Sequence, residues 1–238
     1  MTDPLFRSDA YVRTCQTEVI RHTETGGIVT AASVFYPSGG GQPGDGGILH
    51  WDGGDLEILD TRKDGEDIAL IPPQGAALPP IGAPVTMTLD WDRRYLHMRV
   101  HTALHLLSVV LPLPVTGGAI SAGKGRLDFD MPEAPEDKQG IEDALNALIA
   151  RDLPVSDDWI TDAELEANPG LVKTMSVRPP TGQGRVRLVR IGAGADQVDL
   201  QPCGGTHVRR TTEIGIVRLG KIEKKGKQNR RVSILLDA

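Results

Sequence analysis

The chain has 238 residues, a mass of 25.6 kDa and a formal net charge of −6. Hydrophobic residues at 39% and charged residues at 24% exclude a disordered chain, and the length suffices to bury a core without disulfide staples. The 28 glycines and 17 prolines argue against a helical bundle or coiled coil, and the negative total, taken alone, argues against a nucleic-acid partner.

The first ninety residues read as β-structure. Tyr11 to Ile20, Gly27 to Phe35, Gly47 to Trp51, Leu56 to Thr61 and Pro84 to Leu89 are short, rich in β-branched residues and separated by turn signals. That pattern predicts a small β-barrel or sandwich over residues 1–90. The character changes at Asp90. Leu96, Val100, Ala103, Leu104, Leu107, Val110 and Leu111 recur at helical spacing, with Asp90 or Asp92 as cap and Pro112 as stop. A glycine-rich turn is expected around Thr116 to Gly125, then a strand from Arg126 to Asp130 and a helix from Pro135 to Arg151. Thr161 and Glu164 form a capping-box pattern for a short helix that Asn168-Pro169-Gly170 ends. Val186 to Ile191, Gln197 to Leu200, Ile214 to Glu223 and Arg231 to Leu236 return to β-pattern. The expected class is α+β: a small N-terminal β-barrel over 1–90, then an α+β domain over 91–238 with an antiparallel sheet.

Cys15 and Cys203 cannot build a disulfide framework, which suits a reducing compartment. The first residues lack the apolar stretch of a signal peptide, and no run approaches the ~20 apolar residues of a membrane span. The cytoplasm is the expected compartment, with no membrane and no obligate protein partner.

His101 and His105 lie four apart on the expected helix, on one face, where Cβ atoms are about 5–6 Å apart. Taken alone they are as well read as two polar residues on a helix edge. His97 continues the spacing, either as a third imidazole on that face or as a polar residue near the helix start. In Cys203-Gly204-Gly205-Thr206-His207 a Cys and a His again lie four apart, but two glycines make a helix through them unfavourable by about 1 kcal/mol each. A strand ending in a tight turn is expected there, and Cys203 alone could be a small buried hydrophobe. Together the two pairs supply four nitrogen and sulfur donors, a set that suits tetrahedral zinc.

His101-Thr102-Ala103-Leu104-His105 and Cys203-Gly204-Gly205-Thr206-His207 resemble the paired motifs of the alanyl-tRNA editing domain. Gly39-Gly40-Gly41-Gln42-Pro43-Gly44-Asp45 resembles the glycine-rich motif that precedes them in that family. Gly215-Ile216-Val217, Lys221 to Gly226 and Arg230-Arg231 are similar to its C-terminal part. The family occurs within alanyl-tRNA synthetase and as free-standing proteins called AlaX. With no room for an aminoacylation domain, the chain resembles the free-standing form.

The resemblance implies hydrolysis of the ester that links serine, and as a second candidate glycine, to the alanine tRNA. It implies Zn2+ held by His101, His105, Cys203 and His207. Substrate contacts are expected from Thr102, Thr116 and Ser121 near the metal helix, and from Gln42 and Asp45 of the glycine-rich loop. Relatives often carry an amide side chain where this chain has Ser121. Gly39, Gly40 and Gly41 are expected to let RNA backbone approach closely. Two other readings stay open: a non-catalytic tRNA-binding protein with a structural zinc, and editing of serine on the threonine tRNA.

The charge distribution reverses the first impression from the total. Between His207 and Arg231 stand nine basic residues, Arg209, Arg210, Arg218, Lys221, Lys224, Lys225, Lys227, Arg230 and Arg231, against Glu213 and Glu223, a local charge of +7. The remainder carries −13. This segment, extended by Arg99, is the expected phosphate track for tRNA. With aromatics at 4%, recognition through backbone and shape is expected over base stacking.

Overall fold

The computed structural model describes residues 1–175 and 184–237. It is α+β, with mostly antiparallel sheets, and divides into a unit over Met1–Tyr95 and a unit over Leu96–Ala238. Among the described residues no helix is long and apolar enough to cross a membrane.

The first unit contains β1 (Asp3–Pro4), β2 (Thr14–His22), β3 (Ile28–Thr30), β4 (Ala32–Ser33), β5 (Gly47–Trp51), β6 (Gly54–Ile58), β7 (Asp60–Asp64), β8 (Asp67–Ile71) and β9 (Pro84–Leu89). Seven of these form one sheet in the order β6-β5-β9-β2-β3-β8-β7, every neighbouring pair antiparallel. Alternation along the strands sends every second residue inward. Leu56 and Ile58 near one end of the order and Ile68 and Leu70 near the other share one buried cluster with Val19, Leu49 and Met87. The sheet therefore curls around a single core, and the region expected as a small barrel is this half-barrel sheet. The segment read as one strand from Leu56 to Thr61 is two, because the chain leaves β6 at Leu59 and re-enters the sheet at its far edge as β7.

A buried ion pair anchors this unit. Arg94 and Asp45 are both essentially inaccessible to solvent. Arg94 Nε donates to Asp45 Oδ2 at 2.8 Å, and its Nη2 also contacts that oxygen. The remaining guanidinium donors reach Ala10 O at 2.9 Å and Val34 O at 2.7 Å. Asp45 Oδ2 also accepts from Tyr36 N, and Thr61 Oγ1 donates to Asp45 O. The glycine-rich loop is thus tied down at its far end by a carboxylate that faces inward.

Helix α1 (Trp91–Val110) starts where Asp90 Oδ1 accepts from the Arg93 N–H at 3.2 Å. The second unit continues with β10 (Val115–Ser121), β11 (Lys124–Asp130), α2 (Lys138–Ala150), β12 (Val155–Ile160), α3 (Asp162–Ala167), β13 (Val186–Ile191), β14 (Asp199–Pro202), β15 (Val217–Lys225) and β16 (Asn229–Leu236). One sheet has the order β10-β11-β16-β15 and another β12-β13-β14. The stretch expected to be a turn from Thr116 to Gly125 is instead mostly β10, hairpin-paired with β11. Its glycines adopt extended backbone because the partner strand supplies the hydrogen bonds. Gly125 is the position that must be glycine: a Cβ there would sit 2.5 Å from Val100 Cγ1, so only glycine lets β11 approach α1 this closely. Helix α2 is capped by Asp137, and its Asn146 bonds both backbone groups of Val217 while Glu142 accepts from Leu219 N.

Replacing Arg94 by Met leaves Asp45 buried and unpaired. The expected cost is about 3–5 kcal/mol, read from the shift of the urea unfolding midpoint, with partial recovery when Asp45→Asn is added.

Candidate metal centre

Helix periodicity places His101 and His105 one above the other on α1. Strand β14 ends at Pro202 and delivers Cys203 into a turn that returns His207 to the same point. The four donor atoms all lie within 4.8 Å of one another. Cys203 Sγ is 3.4 Å from His101 Nε2 and 3.3 Å from His207 Nε2. Donors around a tetrahedral metal with bonds of 2.0–2.3 Å stand about 3.3–3.6 Å apart, so these spacings fit a shared ion. The three imidazoles are buried at 6–7% exposure, and Cys203 is half-buried. The cluster could bind a metal ion, and its set of three nitrogens and one sulfur is consistent with zinc.

The atoms behind the donors set which nitrogen faces the cluster. His105 Nδ1 donates to Asp199 Oδ2 at 2.9 Å, leaving Nε2 for the centre. Asp199 is buried and surrounded: Lys173 Nζ reaches its Oδ1 at 2.6 Å and Gln201 Nε2 its Oδ2 at 2.7 Å. Ser108 Oγ donates to His105 O at 2.7 Å and accepts from Lys173 Nζ at 3.3 Å. The Thr102 hydroxyl donates to Met98 O, so toward His207 Nδ1 at 3.3 Å it can only accept. That puts the proton of His207 on Nδ1 and the lone pair of Nε2 toward Cys203. Gly205 N donates to Cys203 Sγ, and Arg187 Nη1 holds the turn through Cys203 O and Gly205 O, each at 2.9 Å.

The electrostatics prepare two of the donors, Cys203 and His207, for a cation. Burial opposes charge on Cys203, yet the neighbouring His101 and His207 outweigh it and hold the thiol well below its usual range. Burial and the His101 charge push His207 down to about 3, which keeps it neutral. For His105 burial works against the proton, but Asp199 and Cys203 win and raise it to about 9. Asp199, despite burial, is drawn down to about 2 by His105 and Lys173. Thiolate and neutral imidazole are the states that bind metal, so a cation entering the cluster must displace the Nε2 proton of His105.

Thr102, expected at the substrate, has its hydroxyl committed to the backbone and His207. Thr116 Oγ1 bonds Asp128 O, and Ser121 Oγ bonds Lys124 O at the hairpin turn. In the first unit, Gln42 is buried, Gly39 and Gln42 exchange backbone hydrogen bonds, and Gly40 and Gly41 take positive φ. Asp45, expected to contact substrate, is buried against Arg94. Arg99 Nε donates to Ile214 O. Arg231 grips Asp128 with two bonds, Arg210 pairs with Asp152, and Arg230 turns to Pro132 O. Arg209, Lys221, Lys224 and Lys225 are exposed. Asp199, Gln201, Lys173, Ser108 and Arg187 were not singled out from the sequence. Asp199-x-Gln201-x-Cys203 carries the one legible signal, since alternate strand residues share a face.

An α+β unit that joins a helix and a strand-turn around buried His and Cys donors defines a domain class, and similarity to known proteins gives it a family. Residues 186–233 match the family described as the threonyl and alanyl tRNA synthetase second additional domain. Over 252 residues the chain is 33% identical to an alanyl-tRNA editing protein AlaX-M of Methanosarcina barkeri, covering 99% of each. A second AlaX-M, of Methanosarcina acetivorans, is 33% identical with the same coverage. An alanine–tRNA ligase of Pyrobaculum neutrophilum is 33% identical over 94% of this chain, which spans only 25% of that ligase. The chain belongs to the AlaX-M family of alanyl-tRNA editing proteins.

Asp199→Asn keeps the size of the side chain but removes the charge that orients His105. It is expected to weaken divalent-metal retention about 10–100-fold, measured by competition with a chromogenic chelator.

Proposed function

We propose that the protein hydrolyses the aminoacyl ester of serine-charged alanine tRNA at a zinc centre formed by His101, His105, Cys203 and His207. One observation carries this reading: a buried three-nitrogen, one-sulfur cluster in a chain that is collinear, end to end, with alanyl-tRNA editing proteins. Zinc, when bound, would supply a Lewis acid for the ester carbonyl or a water of lowered pKa. The chain's own residues fix the donors. Lys173 and Gln201 hold Asp199, Asp199 holds His105, and Thr102 holds His207. Thr116 and Ser121 are proposed polar contacts for the serine hydroxyl. Gly39, Gly40 and Gly41 of the first unit are proposed contacts for RNA.

The need for such an activity is physical. A synthetase pocket shaped for a methyl group rejects an added hydroxyl by only about 10²-fold, whereas a site built to bond that hydroxyl can refuse alanine by roughly 10⁴–10⁵. The basic segment supplies the RNA side. Its arginines are largely engaged within the fold, so the exposed Lys221, Lys224 and Lys225 are the proposed phosphate contacts.

A second reading has a specific observation behind it. Four protein donors close a tetrahedral shell, as structural zinc sites do. The protein would then bind tRNA without turnover. A deacylation assay separates the two. Serine should be released from the alanine tRNA while correctly attached alanine is spared; equal hydrolysis of both, or none, overturns the first reading. Serine-charged threonine tRNA, run in parallel, should be the poorer substrate.

His105→Ala should lower bound zinc and deacylation together. Full zinc occupancy by metal analysis in that variant would remove His105 from the ligand set. Exchanging Lys221, Lys224 and Lys225 for Gln should weaken tRNA binding. The slope of log affinity against log salt should also flatten, by about one for each phosphate no longer neutralised, seen in titrations at several salt concentrations.

A further inference from the structure

The chain contains nine aromatic residues, and eight are buried or partly covered. Phe6 and Tyr36 meet edge to face, and Trp91 stacks on Tyr95. Trp159 is the exception, at 45% exposure on β12, the outer strand of the three-stranded sheet. A single exposed aromatic is ordinary by itself. Its place in the sheet is what makes it informative.

Trp159 pairs directly with Arg187 on β13, and Arg187 stands opposite Cys203, one register step beyond the Leu188–Pro202 pair. Cys203 N donates to Arg187 O at 3.1 Å. Side chains directly across neighbouring strands point to the same face. Trp159, Arg187 and Cys203 therefore form one row on the face that also carries Gln201 and Asp199, the face that meets His101 and His105. Along this row the side chains run from a half-buried thiol, through a guanidinium at 10% exposure, to the open indole. Arg187 spans the gap, bonding the Cys203 turn with Nη1 and Asp157 with Nη2 at 2.6 Å. The row is rigid, because the ladder fixes each backbone and the guanidinium is held at both ends.

We propose that Trp159 is a stacking platform for the unpaired terminal base at the 3′ end of the tRNA acceptor. This rests on the hydrolase reading above and adds where the terminal nucleotide lies. Two strand spacings separate Trp159 from Cys203, about 10 Å, on the order of one nucleotide from ribose ester to base. An ester at the donor cluster thus puts its own base within reach of the indole, with Arg187 beneath the ribose. The exposed Arg185, just before β13, adds positive charge near the row. Indole is the side chain with most surface for a base to cover, and such stacks tolerate any base.

The test uses the full chain and an acceptor-stem RNA hairpin, with and without its terminal nucleotide, followed by tryptophan fluorescence and by deacylation of the serine-charged hairpin. The complete hairpin should quench fluorescence in the wild type, the truncated one less, and Trp159→Phe should lose that difference in signal while retaining affinity. Trp159→Ala should raise KM about tenfold and leave kcat within a few-fold, with zinc content unchanged; Trp159→Phe should restore KM. If the wild type edits while Trp159→Ala keeps its KM and its preference for the complete hairpin, the platform is refuted and the hydrolase reading survives. If the wild type neither binds the hairpin nor releases serine, the hydrolase reading falls and takes the platform with it.

Discussion

Asp199 is a carboxylate shut away from water, and it stays ionised only because Lys173, Gln201 and the imidazole of His105 surround it. An unpaired charge at that depth would cost several kcal/mol. The candidate metal centre depends on this one arrangement. By accepting the Nδ1 proton of His105 it fixes both the ring's orientation and the nitrogen that faces the other donors. It also ties together parts of the chain far apart in sequence: α1, strand β14 and the segment around Lys173. The donor cluster is therefore a product of the second unit's tertiary structure and not of two local motifs.

That dependence explains what could be read from the sequence. His101 with His105 and Cys203 with His207 are visible because each pair is only four residues apart, and local spacing survives without knowledge of the fold. The contact between His105 and Asp199 spans 94 positions, so nothing local announces it. The alternation Asp199, Gln201, Cys203 was available as a hint that the three share a face, but what they face was not. Strand β10 was hidden for another reason. Its glycines carry turn propensity, and only the pairing with β11 and the tight approach of Gly125 to α1 override it. Strand β12 was missed because Ser156, Asp157 and Asp158 are poor strand formers held in place by β13. The division between α- and β-rich regions and the long helix were legible, since periodicity over twenty residues is hard to mistake.

Charge behaves in the same way. The total of −6 conceals a basic segment, and the structure shows that the segment is itself divided. Arg231, Arg210 and Arg218 are engaged with Asp128, Asp152 and Asp237. Lys221, Lys224 and Lys225 of β15 are open to solvent. Planar guanidinium groups suit fixed, two-pronged contacts, while ammonium groups on flexible stems suit a surface that must follow a moving polyanion. Counting basic residues along the sequence overstates the charge free to meet RNA, because it does not separate these two uses.

Strand β15 lies at the end of its sheet, where a row of unpaired backbone groups is an invitation to a foreign strand. Asn146 and Glu142 of α2 occupy those groups at Val217 and Leu219, and beyond them the strand carries lysines. The lysines proposed to meet tRNA thus also place on this edge the kind of charge that opposes edge-to-edge pairing. Any change that makes this edge more apolar would threaten solubility before it touched the chemistry, and the strand has little freedom to drift toward a tighter, greasier grip on RNA.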